Sequence, residues 1–129
     1  LYMRQGLFPQ TRIEVLTDDE RLIEALLEAQ GLVNATPVGM HVHPGMPLSE
    51  SALSAGVLRE GLWVADVIYL PQQTQLVRAA RAAGCEVLTG GYMAVGQAVD
   101  AFRLFTGLDP NAERMAAHFE VLIAAQQGI

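Results

Sequence analysis

Three short segments of this 129-residue chain combine residue types that can hold a polar ligand: Asn34-Ala35-Thr36-Pro37-x-Gly39-Met40, Asp66-x-x-Tyr69-x-Pro71-x-x-Thr74-x-Leu76, and Gly90-x-x-Met93-x-x-x-Gln97, with Phe102 and Thr106-Gly107 beyond. Thr36, Tyr69 and Gln97 offer a hydroxyl, a phenol and an amide, which exchange hydrogen bonds without having to ionise. Ala35 and Gly90 add almost no bulk, so the backbone there can come close to a ligand. Val67 adds apolar surface. Each residue also has a plainer reading. Asn34 to Thr36 can be a turn that only caps a strand, Val67 can be core, and Gly90 can be the turn before a helix. Tyr69 can be an aromatic at a strand edge and Gln97 a polar residue on a wet helix face. Met93, Gln97 and Ala101 follow at four-residue intervals with mostly apolar neighbours, so Gln97 is expected to face protein.

Other chemistries find little support. His41-x-His43 lacks a nearby third ligand and makes a poor zinc site, and His118 is read as helix surface. The single cysteine, Cys85, has no histidine partner in sequence and is expected to be buried or half-buried; no Gly-x-Ser-x-Gly or metalloprotease motif occurs. Fourteen acidic residues against eight basic ones give a net charge of −6, without an arginine cluster to track a phosphate backbone, so nucleic acid is not expected as a partner. Asp66 interrupts the best apolar stretch, Gly61 to Leu70, well short of the roughly 18 residues that cross a bilayer. Neither a membrane nor a signal peptide is expected, and the setting inferred is cytoplasmic.

The elements that must position these residues follow an α/β pattern, short β-rich runs alternating with longer helical ones. With 51% apolar and 17% charged residues, one core is expected. Arg12 to Leu16 reads as a first strand. Thr17 or Asp18 then caps a helix with apolar positions Leu22, Ile23, Leu26 and Leu27, ending near Gly31. Leu32-Val33 is a short strand, and a helical piece follows from Ser49. The continuous run Leu62 to Tyr69 predicts a central strand buried on both faces. Thr74 or Gln73 starts a helix closed by Gly84, Glu86-Val87-Leu88 is the next strand, and Gly90-Gly91 opens a long helix closed by Gly107. Asp109-Pro110-Asn111 begins a last helix towards Gln126. About four parallel strands result, with the three segments at their carboxyl ends, where open α/β sheets bind ligands.

In this order and at these separations, the three segments resemble the shikimate dehydrogenase family over roughly residues 30 to 120. The wording at His43-Pro44-Gly45, Gln97 to Phe102 and Phe105-Thr106-Gly107 is closest to the quinate/shikimate dehydrogenases. The resemblance implies the second half of a Rossmann-like parallel sheet with crossover helices, followed by two carboxy-terminal helices. Residues 1–90 would be the later half of a nicotinamide cofactor-binding domain, and residues 91–129 two helices, the first returning towards a substrate domain. It implies NAD or NADP as cofactor, with the sub-family wording leaning to NAD. Asn34, Ala35, Thr36, Val67 and Gly90 would contact the cofactor, and Tyr69 and Gln97 a shikimate or quinate substrate.

The sequence departs from the family in two respects. No Gly-x-Gly-x-x-Gly follows the first strand, and the chain contains no lysine, whereas the family's proton-transfer pair is a lysine and an aspartate from its amino-terminal domain. A carboxylate, with an ordinary pKa of about 4, is a weak base for an alcohol and no substitute. The expectation is a chain that starts midway through the cofactor domain, with Leu1 to Gln10 the end of a helix. It would expose apolar surface and associate with the missing amino-terminal half or with a second copy. Two readings follow: part of a dehydrogenase, inactive alone, or a non-catalytic α/β binding or interaction module.

Overall fold

The structure, a computed structural model, describes residues 10–127. Eight elements follow one another: α1 (Asp19–Glu28), β1 (Gly31–Asn34), α2 (Glu50–Ser54), β2 (Trp63–Asp66), α3 (Gln75–Ala82), β3 (Glu86–Leu88), α4 (Gly90–Thr106) and α5 (Ala112–Gln127). Local chemistry sets most of their ends. The side chains of Asp18, Ser49 and Thr74 each accept the backbone N–H three residues on, at Arg21, Ala52 and Val77, which satisfies an otherwise orphaned donor at each helix start. Asn111 does the same for Arg114 before α5. Gly84 and Gly107 take left-handed backbone angles after α3 and α4.

The strands form a parallel sheet in the order β1-β2-β3, so β2 is central as expected. Register assigns the faces. Leu32, Val64 and Val87 lie side by side and point into the core that Leu26, Ala52, Val57, Leu62, Leu76 and Ala80 complete. On the opposite face Ala65 is buried, but its neighbours Val33 and Leu88 are 50% and 48% exposed, and Trp63 is 46% exposed. The chain therefore carries exposed apolar surface on one sheet face.

Two expectations about strands need correction. Arg12 to Leu16 is irregular, and the sheet has three strands among the described residues, not four. A strand exists only through its ladder, and this segment finds no neighbour there; instead Glu14 pairs with Arg12 and Arg21. The Leu62 to Tyr69 run is strand only to Asp66, because the backbone beyond leaves the ladder to form the loop before α3. The helix expected at Leu1 to Gln10 lies outside the described residues save for Gln10, a turn.

Arg59 ties the layers together. Its guanidinium donates to the carbonyls of Leu26 and Val57 at 3.1 and 3.0 Å and to that of Ala29 at 2.8 Å, which satisfies the carboxyl end of α1. Arg59→Ala is expected to cost about 2 kcal/mol, since charged donors are worth more than neutral ones. Urea unfolding monitored by Trp63 fluorescence checks this.

Candidate active site at the carboxyl ends of the strands

Because the strands are parallel, β1, β2 and β3 all end on one edge, and the loops after them gather there. Register pairs Asn34 with Asp66, so their side chains stand on the same face of adjacent strands. Both are buried, and the Asn34 amide donates to Asp66 Oδ1 at 3.1 Å. The same oxygen accepts the Ile68 N–H at 3.1 Å, and Oδ2 accepts the Thr74 hydroxyl at 2.6 Å. One carboxylate thus joins the loop after β1, the loop after β2 and the start of α3. No buried side-chain polar atom among the described residues lacks a partner, as the cost of an unmade buried hydrogen bond requires.

Asn34 shapes the loop that follows it. Its Nδ2 also donates to the Val38 carbonyl at 3.1 Å, while its Oδ1 accepts from the Thr36 N–H at 3.2 Å and from the Thr36 hydroxyl at 2.7 Å. The turn closes with Gly39 N–H donating to the His43 carbonyl and His43 N–H to the Met40 carbonyl. His41 and His43 are exposed on this loop, and no group of three or more metal-ligating side chains occurs among the described residues.

The two loops face each other across a cleft of about 420 Å³ lined by Ala35, Thr36, Met40, Val67, Ile68 and Tyr69, among others. Of the seven sequence-predicted site residues, four line it: Ala35, Thr36, Val67 and Tyr69. Gly90 lies behind its floor, packed so closely that a Cβ would fall 2.5 Å from the Val67 carbonyl oxygen and 2.4 Å from that of Ile68. Asn34 stands beneath the cleft, its side chain wholly engaged with protein. Tyr69 is half exposed and meets Phe119 of α5 at 6.3 Å between ring centroids, tilted by 60°.

Gln97 is a correction. Its expected protein environment is absent: it is exposed on α4, about 10 Å along the helix from Gly90. Met93 and Ala101 on the same stripe are only partly covered. The apolar spacing identified the stripe correctly, but no described element packs on it at Gln97. A larger hollow of about 910 Å³ between α4, α5 and the loop before α3 holds none of the predicted residues.

Sequence reasoning gave Asp66 no role at the site and Thr74 only that of a helix cap. The available signal was a lone aspartate inside an otherwise apolar strand, since a buried carboxylate must find donors. Which donors it finds depends on register.

Residues 92–118 match the family model described as Shikimate 5'-dehydrogenase C-terminal domain. A shikimate dehydrogenase (NADP(+)) of Arthrobacter sp. (strain FB24) is 53% identical over 122 residues, which is 95% of this chain and 40% of that protein. A quinate/shikimate dehydrogenase (NAD(+)) of Corynebacterium efficiens is 54% identical over 96 residues, 74% of this chain and 32% of the relative. Among solved structures, quinate dehydrogenase from Corynebacterium glutamicum in complex with NAD superposes with a TM-score of 0.71 at 48% identity, covering 81% of this chain and 36% of that one. The chain thus spans about 40% or less of the length of these relatives. In sequence and in fold it corresponds to the carboxy-terminal part of the shikimate/quinate dehydrogenase family.

Proposed function

We propose that this chain supplies the nicotinamide side of the cofactor cleft, and part of the substrate wall, of an NAD- or NADP-dependent dehydrogenase acting on a ring hydroxyl of shikimate or quinate. The observation that carries this is the meeting of Ala35, Thr36, Val67 and Tyr69 around one cleft, with Gly90 at its back. Residues 1–90 then form the later half of the cofactor domain, and residues 91–129 the two helices that reach towards a substrate domain.

The residues present fit a nicotinamide. Val67 and Ile68 give an apolar floor for a flat ring, and Gly90 keeps the backbone behind that floor in close contact. Ala35 and Thr36 provide a low rim with a hydroxyl. When bound, the nicotinamide accepts or returns the hydride. The chain's own task is to fix distance and orientation, which can account for a large part of a barrier. Tyr69, half exposed beside the cleft and steadied by Phe119, is placed to hydrogen-bond a substrate hydroxyl or carboxylate. Gln97 joins it only if a further domain closes over α4.

The sequence has no lysine, and the family it resembles takes its proton-transfer lysine and aspartate from an amino-terminal domain, so proton transfer is assigned to groups outside these residues. The half-exposed Val33, Trp63 and Leu88 support association with the amino-terminal half or with a second copy of the chain. No helix of the described residues is long and apolar enough to cross a membrane, which suits the cytoplasmic setting inferred for such an enzyme.

The test is NAD and NADP reduction with shikimate and with quinate, run on this chain alone and on the full-length gene product. Turnover by the full-length protein only is expected, with kcat/KM lowered about tenfold by Tyr69→Phe, the worth of one well-placed hydrogen bond to substrate. Turnover by this chain alone would sink the account of the missing lysine. A full-length protein inactive on both substrates would favour the non-catalytic module.

A further inference from the structure

The loop that carries Tyr69 is tied down at both ends and only loosely between. Asp66 holds the Ile68 N–H at one end and the Thr74 hydroxyl at the other, but residues 69–73 make no backbone-to-backbone hydrogen bond among the described residues. Gln73 turns to α3, where its side-chain oxygen accepts from Arg81 at 2.8 Å. Tyr69 and Gln72 turn to α5 instead. The Gln72 amide donates to both carboxylate oxygens of Glu120 at 3.2 and 3.3 Å, and the Tyr69 ring meets that of Phe119 at 6.3 Å and a 60° tilt, a favoured geometry for an aromatic pair. A glycine makes room for this contact. A Cβ at Gly91 would fall 3.0 Å from Phe119 Cε1 and 3.5 Å from Gln72 Nε2, so the missing side chain leaves a notch in the first turn of α4 where ring and amide sit together. Gly90 and Gly91 thus permit two separate close approaches, one to the cleft floor and one to α5.

We infer that Phe119 is a positioning residue: seated in the notch at Gly91, it holds the Tyr69 ring in the orientation that lines the cleft, so that the carboxy-terminal helix sets part of the substrate wall. A half-exposed tyrosine in a loop without a ladder has several staggered rotamers open to it. A second ring packed against one side favours the rotamer that keeps the pair together. Glu120, the next residue of α5, holds Gln72 and keeps the loop against the same helix. The inference rests on the reading of Tyr69 as a substrate contact and adds what holds it there: a residue 50 positions further on in the sequence, on a helix that lines neither strand end.

The experiment uses the full-length gene product in two forms. Unlabelled protein gives kcat/KM for shikimate and quinate, and protein grown with fluorotyrosine gives a ¹⁹F resonance for Tyr69, identified by its loss in Tyr69→Phe. Phe119→Leu keeps an apolar side chain in the notch but removes the ring. It is expected to shift the Tyr69 resonance and to lower kcat/KM roughly two- to fivefold, within the range that an aromatic pair contributes to an equilibrium and below the loss expected for Tyr69→Phe. In the Tyr69→Phe background the same change should have no further effect on kcat/KM, because the hydroxyl that Phe119 positions is gone. Gly91→Ala presses on the ring from its other side and should act in the same direction, again only while Tyr69 is present. Gly96→Ala, with nothing within 4 Å of its Cβ, should move neither the resonance nor kcat/KM. If Phe119→Leu does not fold, Gly91→Ala decides on the same two readouts. An unmoved Tyr69 resonance, or a loss of kcat/KM that persists in the Tyr69→Phe background, overturns the inference and leaves the reading of Tyr69 standing. Full activity of Tyr69→Phe sinks that reading and the inference together.

Discussion

Replacing Gly90 with alanine is expected to destabilise the chain by about 3 kcal/mol, although helix propensity alone argues the other way. Gly90 is the first residue of α4, and alanine is worth up to about 1 kcal/mol more than glycine within a helix. Against this stands the geometry: the new Cβ would fall 2.4 and 2.5 Å from the carbonyl oxygens of Ile68 and Val67. Those atoms are backbone in the loop that forms the cleft floor, so neither a rotamer change nor a small shift relieves the clash. Overpacking against atoms that cannot yield commonly costs 1–3 kcal/mol, and here the upper end applies. Gly96 supplies the control on the same helix. Nothing lies within 4 Å of its would-be Cβ, so Gly96→Ala should be neutral or stabilising by up to about 1 kcal/mol. Urea denaturation of both variants checks the pair. Gly90→Ala as stable as wild type would mean that α4 can slide away from the floor, and the close approach would then have no part in shaping the cleft.

The pair also illustrates which parts of the molecule could be read from sequence. Local chemistry was legible. Asp18, Ser49 and Thr74 cap helices because their side chains reach a donor three residues on, and Gly84 and Gly107 close helices because they accept left-handed angles. The central place of β2 followed from its continuous apolar run. Four cleft residues were those that the family resemblance implied, and they meet because parallel strands deliver their carboxyl ends to one edge. Non-local facts were not legible. Arg12 to Leu16 has the composition of a strand, but composition cannot supply the neighbour a strand needs. Gln97 sits on an apolar stripe, yet periodicity says which residues share a face and not what covers that face. The role of Asp66 depends on the register Asn34–Asp66, which no local pattern encodes.

The largest effect is expected at Asp66. Asp66→Ala removes the acceptor of three donors at once: Asn34 Nδ2, the Ile68 N–H and the Thr74 hydroxyl. Each buried donor left unpaired costs about 1–3 kcal/mol. Asn34 keeps the Val38 carbonyl, and water entering the space would repay part of the remainder, so a loss of about 4 kcal/mol is expected. Asp66→Asn is the graded test. Its amide oxygen can still serve Asn34 and Ile68, and its NH₂ can donate to the second lone pair of the Thr74 hydroxyl, which accepts from Val77 N–H with the first, but the Thr74 hydroxyl proton loses its acceptor. That leaves only the Thr74 donation broken, at about 1–2 kcal/mol. Thr74→Ala removes the same contact together with the helix cap, so it should cost a similar amount or slightly more. The double variant Asp66→Asn/Thr74→Ala should then fall short of the sum of its parts, because both changes delete one shared hydrogen bond. Denaturation midpoints of these four proteins would separate the possibilities. An Asp66→Ala variant no less stable than Thr74→Ala would mean that the carboxylate serves α3 alone, and the junction of the three segments would have to be held by the Asn34 loop itself.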